Sequence, residues 1–338
     1  MELYCGIDLH STNSYVTVMD ESDRVVAECR LANDLEVIVG FLAPYRDAME
    51  GVAVESTYNW YWLVDGLMAA GYRVHLANPA AMQQYSGLKC AGDRSDARWL
   101  AHMMRLKVLP EGYIYPVAER GLRDLLRKRH RLVQQRTRLY LSMATAVERT
   151  SGRRLGGNAI DRLGEADIGA FGLPADVALA ARAELRVLGC LRGEIAGLEK
   201  AIVARLRPTP VYRLLLEVPG IGKILGMTIA LETGDIGRFA AVGNYASYCR
   251  CVEAKRVSNG KRKGSGNAKN GNRWLAWAYV EAAHFAVRND DRARRYHQRK
   301  KAKTNAMVAG KAVANKLARA CYHVMKDGTA FDSERCFG

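Results

Sequence analysis

The sequence predicts an α/β region at the N-terminus followed by a mostly helical remainder. Within residues 1–77, short apolar runs alternate with stretches whose apolar residues recur at helical spacing. By contrast, residues 117–149 and 177–206 keep apolar residues at helical spacing over many turns. These two patterns place a sheet at the start of the chain and long helices in its middle.

The first strands of the N-terminal region are predicted at 3–9, 15–19 and 24–31, with a polar turn at 20–23. Helices and strands then alternate: a helix at 33–42, a strand at 51–54, a helix at 60–68 and a strand at 72–77. This order predicts a mixed sheet with an antiparallel edge.

Four carboxylates fall at the ends of these elements. Asp8 and Glu55 end predicted strands, and Asp93 and Asp96 lie three residues apart where a later helix begins. The Asp93 and Asp96 spacing is also typical of ordinary helix capping. Four acids at one point repel one another unless a cation lies between them, and Mg²⁺ prefers carboxylate and water oxygens. The set predicts a magnesium site suited to in-line displacement at phosphorus.

The formal net charge of +16 is distributed unevenly along the 338 residues. Residues 1–115 carry 9 Lys and Arg against 15 Asp and Glu, whereas the remainder carries 42 against 20. An acidic catalytic module followed by a module that binds a polyanion fits this division; a basic surface that serves solubility is the alternative. The N-terminus lacks the features of a signal peptide, and no apolar run has the length of a membrane span. We expect a cytoplasmic, nucleoid-associated protein without a membrane partner.

The two long helices flank a glycine-rich break at 151–176. They are predicted to form an antiparallel pair within the chain or a coiled coil between chains. The second alternative, and the function discussed below, predict a homo-oligomer, a dimer or a tetramer.

A Pro-Gly-Ile-Gly-Lys turn at 219–223 precedes an apolar helix. This pattern is typical of a helix-hairpin-helix motif, in which bare glycines let backbone amides approach a DNA phosphate. Gly220, Gly222 and Lys223 are the predicted contacts, and a simple tight turn is the alternative.

The strongest basic run covers 255–273 and contains no acid. Its glycines predict a flexible loop that follows a sugar-phosphate backbone. Ser258 and Ser265 are candidate nucleophiles in this loop, or hydroxyls that only contact phosphate. The predicted nucleic-acid contacts of the run are Lys255, Arg256, Lys261, Arg262, Lys263, Lys269 and Arg273.

Taken together, the motifs resemble the DEDD transposases of the insertion-sequence 110 family. The resemblance rests on Gly6-Ile-Asp8, on Glu55-Ser-Thr57, on Asp93-Arg-Ser-Asp96-Ala-Arg98, and, in the same order, on Val218-Pro-Gly-Ile-Gly222, Ser258-Asn-Gly260 and Lys269-Asn-Gly-Asn272. It runs over almost the whole chain.

The resemblance implies an RNase H-like (RuvC-like) DEDD domain at 1–112, a coiled-coil region at 113–207 and a small, mostly helical transposase domain at 208–335. It further implies that Asp8, Glu55, Asp93 and Asp96 bind Mg²⁺, and that Ser258 takes a DNA end as a covalent phosphoserine. Ser265 is the fallback nucleophile. Members of this family are recombinases guided by a structured non-coding bridge RNA that pairs with donor and target DNA.

We therefore expect a bridge-RNA-guided transposase, a serine recombinase that acts on double-stranded DNA. One alternative is a RuvC-like structure-specific endonuclease in which metal-activated water attacks the DNA. A second alternative is a non-catalytic RNA- and DNA-binding protein that retains the fold.

Overall fold

The structure is a computed structural model, which describes residues 1–82, 92–205, 209–253, 255–265 and 270–338. It divides into two compact units, Met1–Ile114 and Tyr115–Gly338. Within the described ranges, no helix is both long and apolar enough to span a membrane. The division at Ile114 lies close to the first predicted domain boundary, whereas the predicted boundary at 207–208 lies outside the described residues.

The first unit is built around a mixed five-stranded sheet in the order β3-β2-β1-β4-β5. Its strands are β1 (Leu3–Leu9), β2 (Asn13–Asp20), β3 (Val25–Ala32), β4 (Met49–Glu55) and β5 (Val74–Ala77). Its helices are α1 (Leu35–Leu42), α2 (Tyr61–Ala69), α3 (Pro79–Met82) and α4 (Asp93–Arg105), with a short 3-10 helix at Ala43–Ala48. Strands β1, β2 and β3 pair antiparallel, and β1, β4 and β5 pair parallel, so the predicted α/β sheet with an antiparallel edge is confirmed. This arrangement is compatible with an RNase H-like domain.

The two faces of this sheet are covered by different helices. Leu3, Cys5, Ile7 and Leu9 of β1 pack with α1 and α2 in one apolar core. Tyr4, Gly6 and Asp8 lie on the opposite face, which α4 covers, because successive side chains of a strand point to opposite faces. Position 8 of β1 and, by the same alternation, position 55 of β4 lie on the α4 face.

Helix α4 comes very close to β1 because residue 6 is glycine. A Cβ atom at Gly6 would lie 2.0 Å from the carbonyl oxygen of Ala97 and 2.8 Å from the amide nitrogen of Ala101. Only a residue without a side chain allows this separation. Gly6 thus sets how closely the first turn of α4, which carries two of the predicted acids, approaches the end of β1.

The second unit is mostly helical. Its helices are α5 (Val117–Ser151), α6 (Gly157–Ile160), α7 (Ala175–Ala204), α8 (Pro210–Leu216), α9 (Lys223–Thr233), α10 (Val242–Tyr248), α11 (Arg273–Asn289), α12 (Asp291–Lys303), α13 (Ala306–Asp327) and α14 (Ser333–Phe337). Short 3-10 helices lie at Glu165–Phe171 and Ile236–Arg238. The main core of this unit is formed by the facing sides of α9, α11 and α13 with the segments around them.

Helices α5 and α7 pack as an antiparallel pair within the chain. Met143, near the end of α5, shares a core with Leu185 in the first half of α7, whereas Leu126, near the start of α5, packs with Ile202 near the end of α7. An ion pair between Arg129 and Glu199 has the same antiparallel sense. The sequence allowed either an antiparallel pair within the chain or a coiled coil between chains, and the structure contains the pair within the chain.

The basic run at 255–273 is not simply a flexible loop. It forms a hairpin of β6 (Lys255–Ser258) and β7 (Lys261–Ser265), joined by Asn259 and Gly260. Both turn residues have positive φ, 49° and 70°, as a two-residue type I′ turn requires. The prediction of a flexible loop, which relied on glycine content, was wrong for this part of the run. The Asn-Gly pair was the sequence signal for a hairpin.

Candidate active site

Asp8 is a buried carboxylate at the end of the central strand. Its residue is only 4% exposed. The pKa of Asp8 is raised to about 7, chiefly by burial; the carboxylates of Glu55 and Asp96 contribute to this rise, and the charge of His10 opposes it. A buried acid with further acids around it favours the protonated form in the absence of a cation. A bound cation would therefore favour the ionised form of Asp8.

His10 and Asp93 complete a compact group around Asp8. The Nε2 atom of His10 lies 3.2 Å from Oδ2 of Asp8 and 3.4 Å from Oδ1 of Asp93. One donor atom from each of the three residues lies within 4.8 Å of the other two. The second oxygen of Asp93 binds Nη2 of Arg30 at 2.7 Å, which fixes the orientation of this carboxylate. A nitrogen and two carboxylates thus converge at the start of α4.

The two remaining predicted acids lie within interaction range of Asp8. Glu55, at the end of β4, lies close enough for its carboxylate to raise the pKa of Asp8, and the charge of Asp96 acts in the same direction. Asp93 and Asp96 are both in the first turn of α4, where the helix dipole also favours negative charge. The structure therefore brings all four predicted acids to one end of the sheet, on the face covered by α4.

The chemistry of these donors fits a divalent metal ion. Among the described residues, Oδ2 of Asp8 and Nε2 of His10 are buried polar atoms that lack a well-formed hydrogen bond, although they lie close together. Buried polar groups normally have a partner, and one that converges with carboxylates is typical of a ligand site. The family resemblance implies a metal here, and Asp8, His10 and Asp93 are suitably placed to hold it.

His10 was not among the residues predicted from the sequence. It stands two residues after Asp8 in Gly-Ile-Asp-Leu-His, just beyond the strand. The signal was present, because a histidine next to an acid at the carboxyl end of a strand is a candidate ligand in its own right. Arg30 was also missed, since its distance of 63 positions from Asp93 hides the contact in the sequence.

Ser258 is the last residue of β6 and is exposed beside the hairpin turn. It pairs with Lys261 across the turn. Directly paired residues of two strands lie on the same face, and so do alternate residues of one strand. The Ser258 side chain therefore shares a face of the hairpin with the exposed Lys261. An ammonium group beside a hydroxyl favours the approach of a phosphate.

Other predicted contacts of the basic run are described in part. Arg273 is exposed at the start of α11 and lies 4.7 Å from the centre of the Trp274 ring. Lys269 lies outside the described residues. The side chains of Lys255, Arg256, Arg262 and Ser265 are also outside the described part of the chain, although the backbone of these four residues belongs to the hairpin.

The predicted helix-hairpin-helix turn lies between α8 and α9. Gly220 has a φ of 84°, and a Cβ atom there would lie 2.1 Å from the carbonyl oxygen of Ala282 in α11, so packing accounts for this glycine. Gly222 is the N-cap of α9 and has open space where a side chain would point. It and the exposed Lys223 present a helix N-terminus to solvent, which is the geometry that binds a phosphate. For these positions, DNA contact stays a prediction.

Comparison with known proteins gives matches to transposases along most of the chain. A family model for the DEDD proteins of IS110, described as "Transposase", matches residues 5–151, and one described as "Transposase IS116/IS110/IS902 family" matches residues 212–298. The chain is 25% identical over 337 residues to a probable family 20 transposase of Pseudomonas aeruginosa, which covers 96% of this chain and 97% of that protein. It is 26% identical over 140 residues to an IS110 uncharacterized 43.6 kDa protein of Streptomyces coelicolor, covering 40% of this chain and 34% of that protein.

Proposed function

The chain belongs to the IS110 family of transposases, which cleave and rejoin DNA, and we propose that it does so with Ser258 as the nucleophile and a divalent metal at the acidic site. The observation that carries the proposal is the convergence of Asp8, His10 and Asp93, with donor atoms within 4.8 Å of one another. Glu55 and Asp96 act on the same carboxyl group. Such a concentration of carboxylates around one buried acid suits a metal-assisted reaction at phosphorus.

The exposed position of Ser258 on the hairpin supports the serine step of this proposal. Its Oγ atom attacks a backbone phosphorus, a Ser–O–P bond forms, and the bond from phosphorus to the leaving deoxyribose oxygen breaks. The hydroxyl proton is lost to a base or to solvent, and the leaving oxygen gains a proton. Because a phosphodiester replaces a phosphodiester, the ends can be rejoined by the reverse attack of a deoxyribose hydroxyl without an external energy source.

The residues of this chain prepare that step in three ways. Lys261 holds the phosphate beside the hydroxyl, since it shares the Ser258 face of the hairpin. Gly222 and Lys223 at the start of α9 hold a second backbone phosphate. Asp8, Glu55, Asp93 and Asp96 with His10 would hold the metal. When bound, a divalent ion of the Mg²⁺ type would stabilise negative charge on a DNA phosphate.

DNA is the substrate that family membership implies, and we further propose that a structured guide RNA selects its sites. The second unit has the basic surface that two polyanions require, since residues from 116 onward carry 42 Lys and Arg against 20 Asp and Glu. Under RNA guidance, base pairing would read the sequence and the protein would read backbone shape and charge. We also propose that the protein forms a homo-oligomer and that its first unit has an RNase H-like (RuvC-like) fold.

A denaturing gel tests the proposal. Wild type, Ser258→Ala, Ser265→Ala and Asp8→Asn are each incubated with Mg²⁺, labelled donor and target DNA, and RNA transcribed from the DNA that flanks the gene. Ser265→Ala is the matched control, because this second serine belongs to the same hairpin. We expect a DNA band linked to protein in wild type and Ser265→Ala, and none in Ser258→Ala or Asp8→Asn.

The alternatives give different bands. Free nicked ends that persist in Ser258→Ala and vanish in Asp8→Asn would identify a hydrolytic nuclease, in which water attacks and the serine only contacts phosphate. If linked DNA forms equally well without RNA, the serine mechanism stands and the proposal of a guide RNA is wrong. Intact DNA in every lane with wild type would support the non-catalytic binding protein.

A further inference from the structure

His10 occupies the centre of the acidic site without being an acid. Its Nε2 atom lies 3.2 Å from an oxygen of Asp8 and 3.4 Å from an oxygen of Asp93. This nitrogen is buried and, within the described ranges, has no well-formed hydrogen bond, although the side chain as a whole is 40% exposed. The nitrogen is thus directed at the two carboxylates, and the rest of the ring is open to solvent.

The backbone of His10 is held in place by three separate segments. The His10 carbonyl oxygen accepts hydrogen bonds from the side-chain amides of Asn33, at 2.9 Å, and Asn59, at 3.0 Å. The His10 amide donates to the carbonyl oxygen of Asn13 at 3.0 Å. A residue fixed in this way places its side chain with little loss of entropy when a ligand binds, so the position is preorganised.

The two asparagines are themselves oriented by hydroxyl groups. Ser14 donates to the side-chain oxygen of Asn33 at 2.7 Å, and Thr57 donates to that of Asn59 at 2.8 Å. Each amide group is therefore turned so that its nitrogen faces His10. Outer contacts that orient a ligand-bearing residue are a regular feature of metal sites.

The distances match those expected between neighbouring ligands of one ion. Ligand bonds of about 2.1 Å at right angles place adjacent donor atoms roughly 3 Å apart. We propose that His10 is a ligand of the same divalent ion as Asp8 and Asp93, and that its nitrogen makes this site favour first-row transition ions such as Co²⁺ over Mg²⁺. Imidazole binds such ions well, whereas Mg²⁺ prefers oxygen donors. This inference rests on the metal site of the proposed function and adds a nitrogen ligand to it.

The competing role for His10 is that of a positive counter-ion for the acids. A protonated imidazole between Asp8 and Asp93 would occupy the place of the metal, so its removal would strengthen metal binding. A ligand and a counter-ion therefore predict opposite effects of the same substitution. Arg30 already pairs with Oδ2 of Asp93, which leaves Oδ1, the oxygen next to His10, for the ion.

Metal binding by the full-length protein, without nucleic acid, distinguishes these roles. Co²⁺ is titrated into metal-free wild type, His10→Ala, Asp8→Asn and His102→Ala, with calorimetry and the visible absorption of Co²⁺ as readouts, and Mg²⁺ is titrated in parallel. His102 is the matched control, because it pairs with Asp23 at 2.8 Å in the same unit and lies outside the proposed ligand set. Circular dichroism checks that each variant is folded.

We expect His10→Ala to weaken Co²⁺ binding by at least about tenfold, a loss that even outer contacts of metal ligands produce, and to change Mg²⁺ binding much less. His102→Ala should match wild type. Co²⁺ affinity in His10→Ala that is unchanged or increased, with binding lost in Asp8→Asn, would overturn the role of His10 and leave the metal site intact. Absence of Co²⁺ and Mg²⁺ binding in folded wild type would overturn both the metal site and the role of His10 as its ligand. An equal loss for both ions in His10→Ala would contradict the selectivity.

Discussion

At the residue scale, one glycine controls the geometry of the acidic site. Gly6 lies on the face of β1 that carries Asp8, and α4 crosses it so closely that a Cβ atom would lie 2.0 Å from the Ala97 carbonyl oxygen. The neighbouring atom belongs to a helix backbone and cannot rotate away. The separation between Asp8 and the acids of α4 thus depends on the absence of a side chain two residues before Asp8.

Gly6→Ala should therefore damage the site as well as stability. We expect the helix to shift outward, Co²⁺ or Mg²⁺ affinity to fall by more than about tenfold, and the unfolding free energy to drop by roughly 1–3 kcal/mol, the usual cost of overpacking. Calorimetric metal titration and chemical denaturation measure the two effects. Gly40→Ala is the control, because no atom lies within 4 Å of a Cβ there and alanine favours the helix. Normal metal binding by Gly6→Ala would contradict the argument.

A second residue gives the second unit a pH dependence. His130 is buried against Trp274 and Trp277, with ring centres 5.0 and 4.1 Å away. Burial, together with the charges of Arg129 and Arg273, lowers the pKa of His130 to about 4. The folded state therefore disfavours the imidazolium. The free energy of unfolding is unaffected by His130 above its unfolded pKa of about 6.5, and it decreases as the pH falls toward 4, because only the unfolded state gains the proton.

We expect wild type to lose unfolding free energy, of order 3 kcal/mol, between pH 6.5 and pH 4 through this residue. His130→Gln cannot be protonated and should lose less over the same range, even if it is less stable at pH 7. Denaturant titrations at a series of pH values measure the difference in slope. His284→Gln, at an exposed position of α11, should keep the wild-type slope. Parallel slopes for wild type and His130→Gln would exclude this role.

At the element scale, the β6–β7 hairpin depends on two turn residues. Asn259 and Gly260 both have positive φ, which ordinary residues adopt only at a cost of about 1–2 kcal/mol. A two-stranded hairpin is only marginally stable by itself, so a small cost at the turn has a large effect on its population. Position and orientation of Ser258, directly before the turn, follow from this geometry.

Gly260→Val should therefore reduce covalent DNA linkage severalfold while leaving the melting temperature within about 2 °C of wild type, since the hairpin adds little to the cores. Gly260→Asn should restore much of the activity, because asparagine tolerates a left-handed conformation. The linked-DNA band and a thermal melt are measured on the same preparations. Full activity in Gly260→Val would mean that the turn does not position Ser258.

The elements also show what the sequence could and could not predict. The five strands of the first unit agree with their predicted ranges to within a few residues, because alternation and apolar runs are local signals. The hairpin was missed since four glycines in a basic run outweighed the Asn-Gly pair. The contact of Asp93 with Arg30, and the placement of His10 between two acids, depend on how strands and α4 meet, which no local pattern encodes.

At the scale of the whole molecule, the second unit is held together by a buried charge. Glu232, in α9, is 2% exposed and accepts hydrogen bonds from Arg123 and Arg127 of α5, at 3.1 and 2.8 Å, and from Asn272 at 2.8 Å. Burial raises the pKa of Glu232, but Arg127 and Arg123 outweigh this effect, so the net pKa is lowered. One carboxylate thus joins the long helix α5 to α9 and to the start of α11.

Glu232→Gln should remove the carboxylate charge that pairs with the guanidinium groups of Arg123 and Arg127. We expect a loss of roughly 3–5 kcal/mol in unfolding free energy, the usual result of removing one partner of a buried pair. Chemical denaturation measures it, with Glu194→Gln on the exposed side of α7 as a control that should change little. A Glu232→Gln protein as stable as wild type would show that the buried pair contributes no net stability.

The central claim is that Ser258 becomes covalently joined to DNA, and peptide mass spectrometry tests it most directly. The DNA-linked protein is digested with nuclease and then with trypsin, which places Ser258 in the peptide 257–261 and Ser265 in the peptide 264–269. We predict a nucleotide phosphate on Ser258 in the first peptide. An unmodified 257–261 peptide, with the nucleotide on Ser265 or on no residue at all, would contradict the account.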